Sequence, residues 1–90
     1  MSGIGELLGV NKLRKGDTYA CTKGAFIGEF FVYMESTDTC HKFLSLPKML
    51  SREVPYDKFQ LGIHNGILDK VENLPLEVIS VCEAQYKLNK

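Results

Sequence analysis

From residue 26 to residue 35 the chain alternates two sets of side chains. Phe26, Gly28, Phe30, Val32 and Met34 fall on one side of an extended strand, and Ile27, Glu29, Phe31, Tyr33 and Glu35 on the other. Aromatic residues stand in both sets, so this strand is expected to be covered on both faces. Gly28 marks a bulge or sharp bend within it. Upstream, residues 18–22 (TYACT) are rich in strand formers, and Lys23-Gly24 predicts a tight turn. Downstream, Ser36-Thr37-Asp38-Thr39 reads as a turn and residues 40–46 as a third strand. Pro47-Lys48 breaks that strand, and a shorter fourth one runs from Leu50 to Val54. Sequential strands joined by short links predict an antiparallel meander.

Beyond Pro55 the period changes. Phe59, Ile63, Ile67, Val71 and Leu74 recur every three to four residues, which predicts helix. Asn65-Gly66 interrupts the stripe with a strong turn signal. The expectation is a short helix, a break near Asn65 and a second helical piece from Gly66 to about Asn73. Residues 75–88 (PLEVISVCEAQYKL) fit two patterns. Val78, Val81, Cys82, Gln85 and Tyr86 make a helix face, while the β-branched content and the alternation of Cys82, Ala84, Tyr86 and Leu88 suit a strand. The helix is preferred, with Pro75 in its first turn. At the other end, Ile4, Leu7 and Leu8 predict a short amphipathic helix ended by Gly9. The expected core holds Leu8, Tyr19, Phe30, Val32, Leu44, Phe59, Ile63, Val71, Val78 and Cys82.

These elements define one α+β domain over residues 1–90. A small antiparallel sheet of three or four strands spans about residues 17–54. C-terminal helices and the short N-terminal helix complete it. The length suits one hydrophobic core, and the 44% apolar content is that of a globular chain. No apolar run approaches the ~18 residues of a membrane span, and no signal-peptide pattern is present, so a cytoplasmic location is expected.

Charge narrows the function classes. Eleven basic and eleven acidic residues cancel, which argues against a nonspecific nucleic-acid binder. Lys12, Arg14, Lys15 and Lys23 are the basic cluster that a nucleic-acid site would use, with Glu6 and Asp17 among them. Cys21, Cys40 and Cys82 are odd in number and far apart, which favours free thiols in a reducing compartment over a disulfide framework.

Catalytic patterns are weak. Cys40 and His41 are neighbours on a strand and point apart, so a base for Cys40 would have to be His64. Cys21, Cys40, Cys82, His41 and His64 lack the close pairing of zinc ligands. Gly3, Gly5 and Gly9 do not fit the dinucleotide fingerprint, and Gly24-x-x-x-Gly28 lacks the lysine of a phosphate loop. No enzyme activity, cofactor or metal is expected. The outer set Ile27, Phe31 and Tyr33 needs a cover, which the chain's own helices would supply by making it core; where they do not, a partner protein or a second copy would.

Arg14-Lys15-Gly16-Asp17, TYACT, Lys23-Gly24, AFI, Gly28 and EFFVYME together resemble a KOW-type motif. That motif belongs to small SH3-like barrels of ribosomal and transcription-associated proteins, so the resemblance implies that the sheet is partly SH3-like, with a barrel-like hairpin that contacts RNA or protein. It covers about a quarter of the chain. The second strand carries Glu29 and two phenylalanines where the family is basic. The whole chain also resembles small accessory proteins of large tailed bacteriophages, through Phe59-x-x-Gly62, Leu74-Pro75 and Cys82-x-x-Gln85-Tyr86. That resemblance implies a protein made in the bacterial host cytoplasm that binds a host factor.

The leading expectation is therefore a non-catalytic protein-interaction module with Ile27, Phe31 and Tyr33 at the contact. The alternatives are an RNA- or DNA-binding KOW-like module using Lys12, Arg14, Lys15 and Lys23, and a small-ligand or nucleotide binder at an oligomer interface.

Overall fold

In the computed structural model, which describes residues 13–88, strands alternate side chains between two buried clusters. The elements are β1 (Thr18–Cys21), β2 (Phe30–Ser36), β3 (Cys40–Leu46), β4 (Leu50–Pro55), α1 (Tyr56–His64), β5 (Leu68–Val71) and α2 (Leu76–Leu88). The strands form one antiparallel sheet in the order β4-β3-β2-β1-β5. The first four make the expected meander, and β5 returns to pair with β1.

Period two divides the sheet. Tyr19, Cys21, Phe31, Tyr33, Phe43 and Leu68 point to one face, where α1 adds Phe59. Val32, Met34 and Leu44 point to the other, where α2 adds Cys82 and Tyr86. Rings dominate the α1 face. Phe59 stacks on Phe43 at 5.7 Å and meets Tyr19 edge-on at 5.2 Å.

One irregularity in β2 has structural weight. Tyr33 pairs with Phe43 but Glu35 pairs with Lys42, so Met34 is an extra residue in a β-bulge. Residues three apart on a regular strand face opposite ways. The bulge restores Ser36 to the face of Tyr33, and their hydroxyls lie 2.5 Å apart.

Several expectations are corrected. The strand expected over 26–35 begins only at Phe30. Gly24 (φ 86°) and Gly28 (φ 90°) fold residues 24–28 into turns, with Ile27 N–H donating to the Gly24 carbonyl. The helical piece expected from Gly66 to Asn73 is instead strand β5, which makes the sheet five-stranded. Gly66 at φ 73° turns the chain out of α1, and pairing with β1 then outweighs the weak local preference of four residues. Of the expected core, Phe30, Ile63 and Val78 are exposed, and Val71 is half-buried. Phe30 sits at the end of β2 between Ala20 and Leu46, while α1 buries Phe59 and Gly62 in place of Phe59 and Ile63. Residues 75–88 resolve in favour of helix, with Ile79, Cys82 and Tyr86 as its buried stripe. The short helix expected at the N-terminus, with Leu8, lies outside the described residues. Among the described residues no helix is long and apolar enough to cross a membrane.

Candidate functional site

The site is built from α1 and the strand it leads into. Phe59 anchors the helix in the ring cluster of the sheet. Gly62, one turn on, faces Leu68 of β5. A Cβ there would stand 3.1 Å from Leu68 Cδ1, so glycine lets the helix lie close above the strand. Beside this contact the surface opens into a groove of about 820 Å³. Tyr19, Phe59 and Leu68 contribute to its lining from the core, and Asp57, Gln60, Leu61, Ile63 and His64 from the helix. Asp69 and Lys70 come from β5.

Leu61 is 56% exposed and Ile63 41% exposed, although both are large aliphatic residues. Two of the polar groups are already engaged. The Lys70 ammonium donates to the Val71 carbonyl at 2.9 Å and to Asn73 Oδ1 at 3.0 Å, and lies 5.9 Å from the Tyr19 ring centre. Asp57 Oδ1 accepts the Lys58 N–H at 2.8 Å. Burial, and next the charge of Asp17, pushes the Tyr19 phenol above its ordinary pKa, so it stays protonated at neutral pH.

Behind α1, His41 is 1% exposed and ringed by Tyr33, Phe43, Tyr56 and Phe59. Its Nδ1 lies 2.7 Å from Ser36 Oγ, which in turn meets the Tyr33 hydroxyl. Burial lowers its pKa. The imidazole end of this chain of hydrogen bonds is buried, whereas Ser36 is exposed, and Tyr56 at the base of α1 meets the imidazole in a tilted contact at 4.6 Å.

The residues singled out from sequence fall in different places. Phe31 and Tyr33 are buried in the α1-face cluster, so they are not a surface; their cover is α1 and its neighbours. Ile27 is 65% exposed, in the turn before β2, and so does not share a strand face with them. Beside it Phe26 packs on Phe31 and lies under the Arg52 guanidinium at 4.6 Å. Glu29, the acidic departure from the KOW pattern, sits 3.6 Å from Arg52 and accepts the Ser45 hydroxyl.

The basic residues do not form one face. Lys15 is bound to Glu83 of α2 at 2.6 Å, Lys23 reaches the Asn65 carbonyl at 3.5 Å, and Arg14 is exposed. Lys12 lies outside the described residues. Cys21 and Cys82 belong to opposite faces of the sheet. Cys40 pairs with Pro55 at the start of α1, whereas His64 closes that helix about 12 Å further along. Among the described residues no group of three or more metal-capable side chains converges.

Leu61, Leu68, Asp69 and Lys70 were not singled out from sequence. The signal for Leu61 was present, since it is an apolar residue off the Phe59–Ile63 stripe of a helix whose exposed side should be polar. The β5 residues carried none, because a four-residue strand shows too few alternations to register. No family model, curated protein or solved structure matches the chain.

Proposed function

We propose that this protein is a non-catalytic protein-interaction module whose partner occupies the groove between α1 and β5. The observation that carries this reading is the exposure of Leu61 and Ile63 at the rim of an apolar groove of about 820 Å³. Aliphatic side chains held in water beside an apolar floor gain free energy when a partner covers them, about 25 cal/mol per Å² buried. Engagement of Lys70 and Asp57 within the chain fits a binding surface better than a reacting centre. The return of β5 to β1, with a helix between β4 and β5, supports the SH3-like reading of the sheet. The proposal extends to a bacteriophage accessory protein acting on a host factor, as the overall resemblance implies.

The test is affinity capture from bacterial lysate with the tagged full chain, with and without nuclease. A protein retained after nuclease treatment by the wild type and lost from Leu61→Glu is the expected result. A partner lost on nuclease treatment would instead support the nucleic-acid reading, and equal retention by Leu61→Glu would place the contact elsewhere.

A further inference from the structure

Resting on the groove as the binding surface, a second feature specifies what it takes. β5 is an edge strand, paired with β1 and with no strand beyond it among the described residues. The direction of its backbone groups follows from its neighbours. On β1, Asp17 and Cys21 bond toward β2, through Tyr33 N–H to the Asp17 carbonyl and Cys21 N–H to the Glu29 carbonyl. Alternation turns Thr18, Ala20 and Thr22 toward β5, and Thr22 N–H does donate to the Ile67 carbonyl at 2.8 Å. Asp69 and Val71, opposite Ala20 and Thr18, therefore bond inward to β1. Leu68 and Lys70 turn their N–H and C=O groups to the open edge.

The same two residues, with Asp69 between them, line the groove. Leu68 and Lys70 point to the α1 face and Asp69 to the other, so the groove runs along the strand edge itself. We propose that the groove accepts an extended polypeptide segment that adds a strand to the β5 edge. Its backbone bonds to Leu68 and Lys70. Alternate side chains enter the apolar groove against Leu61 and Ile63. The intervening side chains stand beside exposed Asp69 on the other face, so those positions favour Lys or Arg. The partner is thus a segment alternating apolar and basic residues. A backbone edge unpaired among the described residues is a feature that a helical peptide or a small apolar ligand would leave unused.

The test uses the full chain and peptides selected on it from a displayed random dodecapeptide library. Expected sequences alternate apolar with Lys or Arg. At saturation the amide exchange of Leu68 and Lys70, read by nuclear magnetic resonance, slows about tenfold or more, while Asp69 and Val71 change little. Lys70→Pro, which removes an outward N–H without touching the β1 ladder, weakens binding about tenfold or more with the melting temperature retained. If that variant does not fold, the wild-type exchange data decide alone. Selected peptides with helical spacing and no protection at Leu68 and Lys70 would overturn strand addition while leaving the groove reading intact. Peptides that bind Leu61→Glu as tightly as wild type would sink both. Failure to select any peptide, or amides of Leu68 and Lys70 already protected in the free chain, would overturn the proposal, the latter because the edge is then occupied.

Discussion

His41 is a titratable side chain that the fold buries almost completely, and its setting depends on a single extra residue in β2. Without the bulge at Met34, Ser36 would point away from Tyr33 and the imidazole would lose its hydroxyl partner. Burial holds the imidazole below its ordinary pKa of 6.5. The folded chain therefore resists a proton that the unfolded chain accepts. Stability is complete above about pH 6.5 and declines as pH falls from there toward the depressed folded value, because the unfolded state binds more protons in that interval. The urea midpoint is expected to drop between about pH 7.5 and 5.5, and His41→Gln to flatten that drop. A slope that survives His41→Gln would assign it to another group. Sequence reading placed His41 on a strand, but its burial came from contacts with α1 residues more than a dozen positions away, which no local pattern records.

At the scale of elements, close approach is set by glycine. Gly16 has φ 97°, and a Cβ there would stand 2.7 Å from Ile79 Cδ1 of α2. The loop before β1 and the helix thus meet where a side chain has no room. Gly16→Ala is expected to cost about 2–4 kcal/mol, combining left-handed strain with displacement of Ile79. Gly66→Ala, with φ 73° and open space around it, should cost only the strain, about 1–2 kcal/mol. Chemical denaturation of the two variants checks the difference, and equal losses would remove the packing contribution at Gly16.

The same scale explains what was legible. β1, β3 and β4 matched their expected spans closely because turn residues bound short runs of strand formers. α2 was readable because Cys82 and Tyr86 recur at helical spacing, and Ile79 completes their buried stripe. β5 was misread because Ile67 and Val71 happen to continue the α1 stripe, whereas the preference that decides them is the ladder to β1, a partner some fifty residues away. The strand side of the candidate site was lost with it, since the groove needs Leu68, Asp69 and Lys70 beside the helix.

Over the described residues, the sheet buries both of its faces, one under α1 and one under α2; Leu76, Val78, Val81 and Leu88 stay exposed on α2, and two further apolar features lie outside the core. One is the groove with Leu61 and Ile63; the other is the turn before β2 with Phe26 and Ile27. Phe26 is already held by Phe31 and Arg52, whereas Leu61 stands at the rim of a groove whose strand edge is unpaired among the described residues. The groove is therefore the surface proposed for a partner. The most direct test compares retention of the nuclease-resistant partner by Leu61→Glu/Ile63→Glu and by Ile27→Glu, with melting temperatures taken on the same samples. The account predicts that both variants stay folded, that the groove variant loses the partner and that Ile27→Glu keeps it. Loss of the partner from Ile27→Glu with full retention by the folded groove variant would contradict it.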